Sequence, residues 1–123
     1  MARCATGPSL APLPDPALSK EEKPEVEPAP GPGRLASLQL TEHARLLIEE
    51  KKPDEAIRTL ERAVNLYPTN GGNYYYLAEA WLLKGNVREA GEFHGIAAMY
   101  LRGRGEWKVR LTNQREKISK ASR

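Results

Sequence analysis

The chain is short of cysteine and of long apolar runs, and each shortage removes a class of function. One cysteine, Cys4, among 123 residues excludes an intrachain disulfide and a zinc site built from thiolates. The longest apolar run, Ile96 to Leu101, falls far below the ~20 residues a membrane-spanning helix needs. The two histidines, His43 and His94, have no carboxylates or thiolates beside them at metal-ligand spacing, and both are expected at core-facing or interhelical positions. The glycine-containing turns Gly85-Asn86 and Gly103-Arg104-Gly105 follow no strand pattern, so they do not read as phosphate loops. With no positioned nucleophile, base or metal, the chain reads as a non-enzyme, and no cofactor or small-molecule substrate is expected.

Proline and charge are present but unevenly spread. Eight of the ten prolines lie in residues 1–35, with Glu and Lys clustered between Lys20 and Glu27 and no apolar periodicity. Such a composition cannot bury enough surface to offset its ordering entropy, so an extended tether is expected there. Net charge is −1 over residues 1–35, −2 over 36–101 and +6 over 102–123. The basic end fits attraction to an acidic partner, an anionic lipid surface or nucleic acid, and equally fits plain solubility.

No apolar stretch precedes Cys4, so no signal peptide is read from the sequence. Cys4-Ala5-Thr6-Gly7-Pro8 and the proline-rich spacer after it nevertheless resemble the mature start of a bacterial lipoprotein, although Ala2 and Arg3 do not match a lipobox. Two readings of Cys4 stand: a lipidation site, which implies the cell envelope, or an incidental thiol, which implies the cytoplasm.

Residues 37–70 and 71–104 read as two copies of one 34-residue pattern. Leu40 aligns with Tyr74, Ala44 with Ala78, Leu47 with Trp81, Ala56 with Ala90 and Ala63 with Ala97. A fixed period of this length is the signature of stacked helical hairpins. Leu40, Ala44, Leu47 and Ile48 form one stripe of a helix expected from Leu35 or Ala36 to about Lys51. Pro53 suits the first turn of a second helix, with Asp54 and Glu55 at its positive end and Ala56, Leu60, Ala63 and Val64 as its stripe. Tyr67 to Gly72 is a dense turn signal in which the paired glycines free the backbone. A third helix follows through Tyr74, Leu77, Ala78 and Trp81, and Gly85 ends it. Asn86 with Glu89 resembles a capping box opening a fourth helix through Ala90, Phe93, Ala97 and Leu101. Gly91 and Gly95 form a small-xxx-small pair, expected to mark close helix packing.

Tyr74-x2-Leu77-Ala78-x2-Trp81 followed by Ala90-x3-His94 and Ala97, together with the earlier Leu40-x2-His43-Ala44-x2-Leu47, Ala56-x3-Leu60, Ala63 and Pro68, resembles the tetratricopeptide repeat. The resemblance implies an all-α fold of two antiparallel hairpins, repeat 1 over 37–70 and repeat 2 over 71–104. His43, His94 and Arg102 depart from the pattern, and with no closing proline at 102 repeat 2 is expected to run on without the usual break. Gly103 and Gly105 then read as a short flexible joint. A fifth helix, from Glu106 to about Ser119, carries Trp107, Leu111 and Ile118 on one stripe and reads as a solvating cap. Two repeats are fewer than the three an independent stack usually needs, so this helix or self-association must supply burial.

The resemblance also implies where a partner sits. The first helix of each pair lines a concave face, here matched by Thr41, Arg45, Ile48 and Glu49 and by Tyr75, Glu79, Leu82 and Leu83. Tyr75 offers rigid contact area and Arg45 a guanidinium for a peptide carboxylate; the alternative is that Arg45 and Glu79 pair with each other. The expected function is a non-catalytic protein-interaction module over about residues 36–119, binding a protein or peptide. The alternative class is a binder of nucleic acid or anionic lipid through Arg102, Arg104, Lys108, Arg110, Arg115 and Lys117.

Overall fold

The computed structural model describes residues 31–123. Cys4 and all but the end of the expected tether lie outside that range. Five helices follow in order: α1 Pro32–Glu49, α2 Pro53–Leu66, α3 Gly71–Lys84, α4 Val87–Tyr100 and α5 Gly105–Ala121. The chain is all-α over the described residues, as the repeat pattern implies.

Helix α1 starts earlier than the apolar stripe suggests. Pro32 takes the first helical position, where its missing N–H removes no bond, and Leu35 N–H donates to Gly31 O at 2.9 Å. Arg34 fixes this turn against the end of α2: its guanidinium donates to Tyr67 Oη at 2.6 Å and lies over the Tyr67 ring. The last residues of the expected tether are thus helical.

The 34-residue period extends to the way helices end. Lys51 and Gly85 both adopt left-handed backbone, with φ of 65° and 91°. Lys52 N–H then donates to Leu47 O, and Asn86 N–H to Trp81 O, each at 2.9 Å. These paired closures satisfy the last carbonyls of α1 and α3 in the same way. Asn86 also caps α4, its Oδ1 accepting from Glu89 N–H at 3.1 Å. Because Asn86 N–H is already committed to Trp81, only this half of the expected capping box is made.

Gly71 and Gly72 are not turn residues: they form the first turn of α3, capped by Asn70 Oδ1 accepting from Gly72 N–H at 3.1 Å. Gly71 is there for closeness, since a Cβ would fall 2.5 Å from Leu101 Cγ. The break expected to be missing after repeat 2 is present as well. Helix α4 stops at Tyr100, and Gly103 turns the chain with φ 81°, one residue after Arg102, the counterpart of Pro68. Of the small-xxx-small pair, Gly91 faces Ile118 at ordinary contact distance and Gly95 faces nothing, so no close approach depends on it.

Helices α1 and α2 pack as one hairpin and α3 and α4 as the next, with α2 and α1 against α3 and with α5 against α4 and α3. The aligned alanines let these helices approach: Ala44, Ala56, Ala63, Ala78, Ala90 and Ala97 are all fully buried. Leu47, Ile57, Leu60, Tyr74, Leu77 and Leu101 fill the core around them. A polar seam that the apolar pattern could not announce joins the first three helices. Ser37 Oγ donates to Ala63 O at 2.8 Å and accepts from Asn73 Nδ2 at 3.3 Å, both side chains being fully buried.

His43 is exposed, against the expectation of a core-facing position. Its counterpart Leu77 is 2% exposed because α3 turns that face onto the first hairpin. Among the described residues nothing precedes α1, so the same face stays open. Leu46, at 42% exposure against 0% for its counterpart Ala80, follows the same rule.

Candidate functional site

Thr41, Arg45, Ile48 and Glu49 recur 34 residues later as Tyr75, Glu79, Leu82 and Leu83. Each set follows i, i+4, i+7, i+8 spacing, so each occupies one helical face. The structure places seven of the eight along one groove. Arg45, Ile48, Glu49, Tyr75 and Glu79 border a depression of about 240 Å³, joined by Tyr76 and Arg110. Ile48 and Glu79 also border a second depression of about 350 Å³ with Leu82, Leu83, Lys51 and Lys117. Thr41 differs: its hydroxyl is already engaged with Ser37 O at 2.8 Å and with Asn73 Oδ1 in the polar seam.

Arg45 and Glu79 do not pair. Arg45 lies between two carboxylates of its own helix, Glu42 and Glu49, each at 2.6 Å. Hydrogen bonding and the charges of both raise its pKa, and the guanidinium holds Glu42 below the usual carboxylate range. Such exposed i, i+3 and i, i+4 pairs are weak, so a ligand carboxylate can replace them at little cost. Glu79 is taken by α5: Gln114 Nε2 donates to its Oε2 at 2.8 Å and Lys117 Nζ to its Oε1 at 3.0 Å.

Helix α5 therefore forms one wall of the groove, and Gln114 fastens it. Gln114 is fully buried. Its Nε2 also donates to Tyr75 O at 3.0 Å, and its Oε1 lies 2.8 Å from His94 Nδ1. Because Oε1 only accepts, His94 Nδ1 is the donor in this contact. Gln114 stands seven residues after Trp107, on the very stripe read as the cap's apolar face. The spacing was the available signal, but its polarity hid it.

Tyr75 is less open than an anchor for a partner would be. Its ring meets Tyr76 and Trp107 edge-on at 5.1 and 5.2 Å, and the Arg110 guanidinium sits over it at 5.8 Å. Burial, aided by the Glu79 charge and opposed by Arg110, pushes its phenol up to about 12. The accessible apolar contacts of the groove are Ile48, Leu82 and Leu83.

The six basic positions do not make one stripe. Arg110 and Lys117 face the groove, whereas Arg102, Arg104, Lys108 and Arg115 converge on a separate cavity of about 500 Å³ between α4 and α5. Among the described residues no cluster of His, Cys, Asp and Glu is arranged to hold a metal ion, and no helix is long and apolar enough to cross a membrane.

Two helical hairpins in 34-residue register, with a groove lined by the same positions of each first helix, define a helical-repeat protein. Residues 47–93, from the end of α1 into α4, match the family model described as tetratricopeptide repeat, which supports assignment of the chain to that family. The matched stretch holds six of the seven groove residues, leaving out Arg45, and stops before α5. Comparison with curated proteins found no match. Repeats of this family generally mediate protein–protein interaction.

Proposed function

We propose that this protein is a non-catalytic interaction module that holds a short extended segment of one partner protein in the groove between α1, α3 and α5. The supporting observation is the recurrence of the groove positions in both repeats, with Ile48, Leu82 and Leu83 left accessible around the larger depression. An apolar side chain of the partner packs on these three. A partner carboxylate displaces Glu42 and Glu49 from Arg45, whose planar fork suits two-point recognition. Because α5 closes one wall, the groove spans only two repeats and accommodates one short segment.

Selection from a random peptide library against the full chain tests this reading. The expected product is a family of sequences pairing an apolar residue with an acidic one, whose binding is lost in Leu83→Asp and weakened in Arg45→Glu. Sequences whose binding is untouched by both substitutions would overturn it. Attachment to a bacterial envelope is a separate proposal supported by Cys4 and the spacer that follows. It expects incorporation of a labelled fatty acid that Cys4→Ala abolishes, and absence of label in the wild-type chain contradicts it.

A further inference from the structure

The cavity between α4 and α5 lies outside the groove, and its chemistry is one-sided. Its apolar lining is Ala98 and Leu101 from the α4 end and Leu111 from α5, with His94 and Thr112 beside them. Its rim carries Arg102, Lys108 and Arg115, which make no ion pair among the described residues. A fourth cation, Arg104, is neutralised from outside by Glu106 at 2.9 Å. No carboxylate lines the cavity, and neither does any Trp, Tyr or Phe.

We infer that this cavity is a second docking site, whose occupant is an acidic segment of a protein partner with aliphatic side chains flanked by carboxylates. Apolar lining and rim together select that chemistry. A volume of about 500 Å³ is of the size that takes up small ligands and leaves room for more than one aliphatic side chain. Carboxylates on either side then reach cations that have no competing partner, and planar guanidiniums suit them. Nucleic acid satisfies the rim alone, because its phosphates leave the apolar lining uncovered and no aromatic side chain offers a base a stacking surface.

The site is independent of the groove, and its test separates the two. Fluorescence anisotropy of the full chain is measured with the labelled peptide Glu-Glu-Leu-Leu-Glu-Glu and with a control in which both leucines are serine. Saturable binding is expected, falling about tenfold or more for the serine control. A similar fall is expected in the double variant Arg102→Glu with Lys108→Glu, and independently in Arg115→Glu, because each reversal turns attraction into repulsion at an exposed position. Added salt weakens binding by screening the rim. Every measurement is repeated in a background of Leu83→Asp with Arg45→Glu, in which the groove no longer takes an apolar and acidic segment, and saturable binding that still depends on the leucines and on the rim cations is expected to persist there. Equal affinity for the two peptides overturns the inference, as does insensitivity to the charge reversals. Tighter binding of an oligonucleotide or of phosphatidylglycerol vesicles than of the leucine peptide would assign the cations to an anionic surface instead.

Discussion

Lys51 and Gly85 occupy the same turn of the repeat, one with a side chain and one without. A left-handed residue with a Cβ costs roughly 1–2 kcal/mol, so the α1 end carries strain that the α3 end avoids. Lys51→Gly is expected to raise stability by about 0.5–1 kcal/mol in urea unfolding, part of the relief being offset by the freer unfolded chain; a loss of stability contradicts this geometry. Tyr75 gives a second prediction at this scale. Its phenol ionises near 10 in the unfolded chain but near 12 when buried against Trp107. The raised value means the native state resists ionisation, so stability is full below pH 10 and declines as pH rises through 12. Tyr75→Phe should show a smaller fall in urea midpoint on going into this range than the wild type. Tyr74, raised in the same direction by burial, keeps that fall from vanishing. An undiminished fall would place Tyr75 in water.

At the scale of elements, α5 is joined to the repeats by an aromatic contact and a buried amide. Trp107 packs on Tyr75 and Tyr76. Gln114 ties together a carbonyl, a carboxylate and an imidazole, from two helices. Gln114→Ala leaves His94 Nδ1 without its partner and removes one donor from Glu79, which keeps only Lys117, and is expected to cost about 1–3 kcal/mol. Trp107→Ala should cost about 2–3 kcal/mol, near the low end for a tryptophan because the ring is only partly covered. Both should speed amide exchange in α5 more than in α2; unchanged unfolding curves would show that α5 is not the cap. The stripe of Trp107, Leu111 and Ile118 was legible in the sequence, as were the alanines that set hairpin spacing, because apolar periodicity reports burial directly. Gln114, Ser37 and Asn73 were not, since a polar residue on a buried face reads as solvent-facing until its partners are known. The glycines of α3 misled for a related reason. Paired glycine signals a turn locally, while Gly71 answers to Leu101, thirty residues away.

At the scale of the whole molecule, the two ends of the stack differ. The α4 end is covered by α5, whereas α1 exposes Leu38, Leu46 and His43 on the face that α3 buries. This asymmetry explains why the repeat alignment placed His43 wrongly: equal register implies equal burial only where a neighbour is present on both sides. Leu77→Ala, at a position 2% exposed, should cost about 2–5 kcal/mol. Leu46→Ala should stay within about 0.5 kcal/mol of wild type, and a cost comparable to that of Leu77→Ala would reveal a cover on α1, such as a second copy of the chain. The groove itself was largely readable, because its positions repeat with the fold; its closure by α5 was not, because that helix lies beyond the repeat. The central claim is that this short groove is where a partner binds. Methyl resonances followed during titration with a library-selected peptide test it most directly. Shifts centred on Ile48, Leu82 and Leu83, with Leu66 and Met99 unmoved, are the predicted result, and shifts confined to residues outside the groove would contradict it.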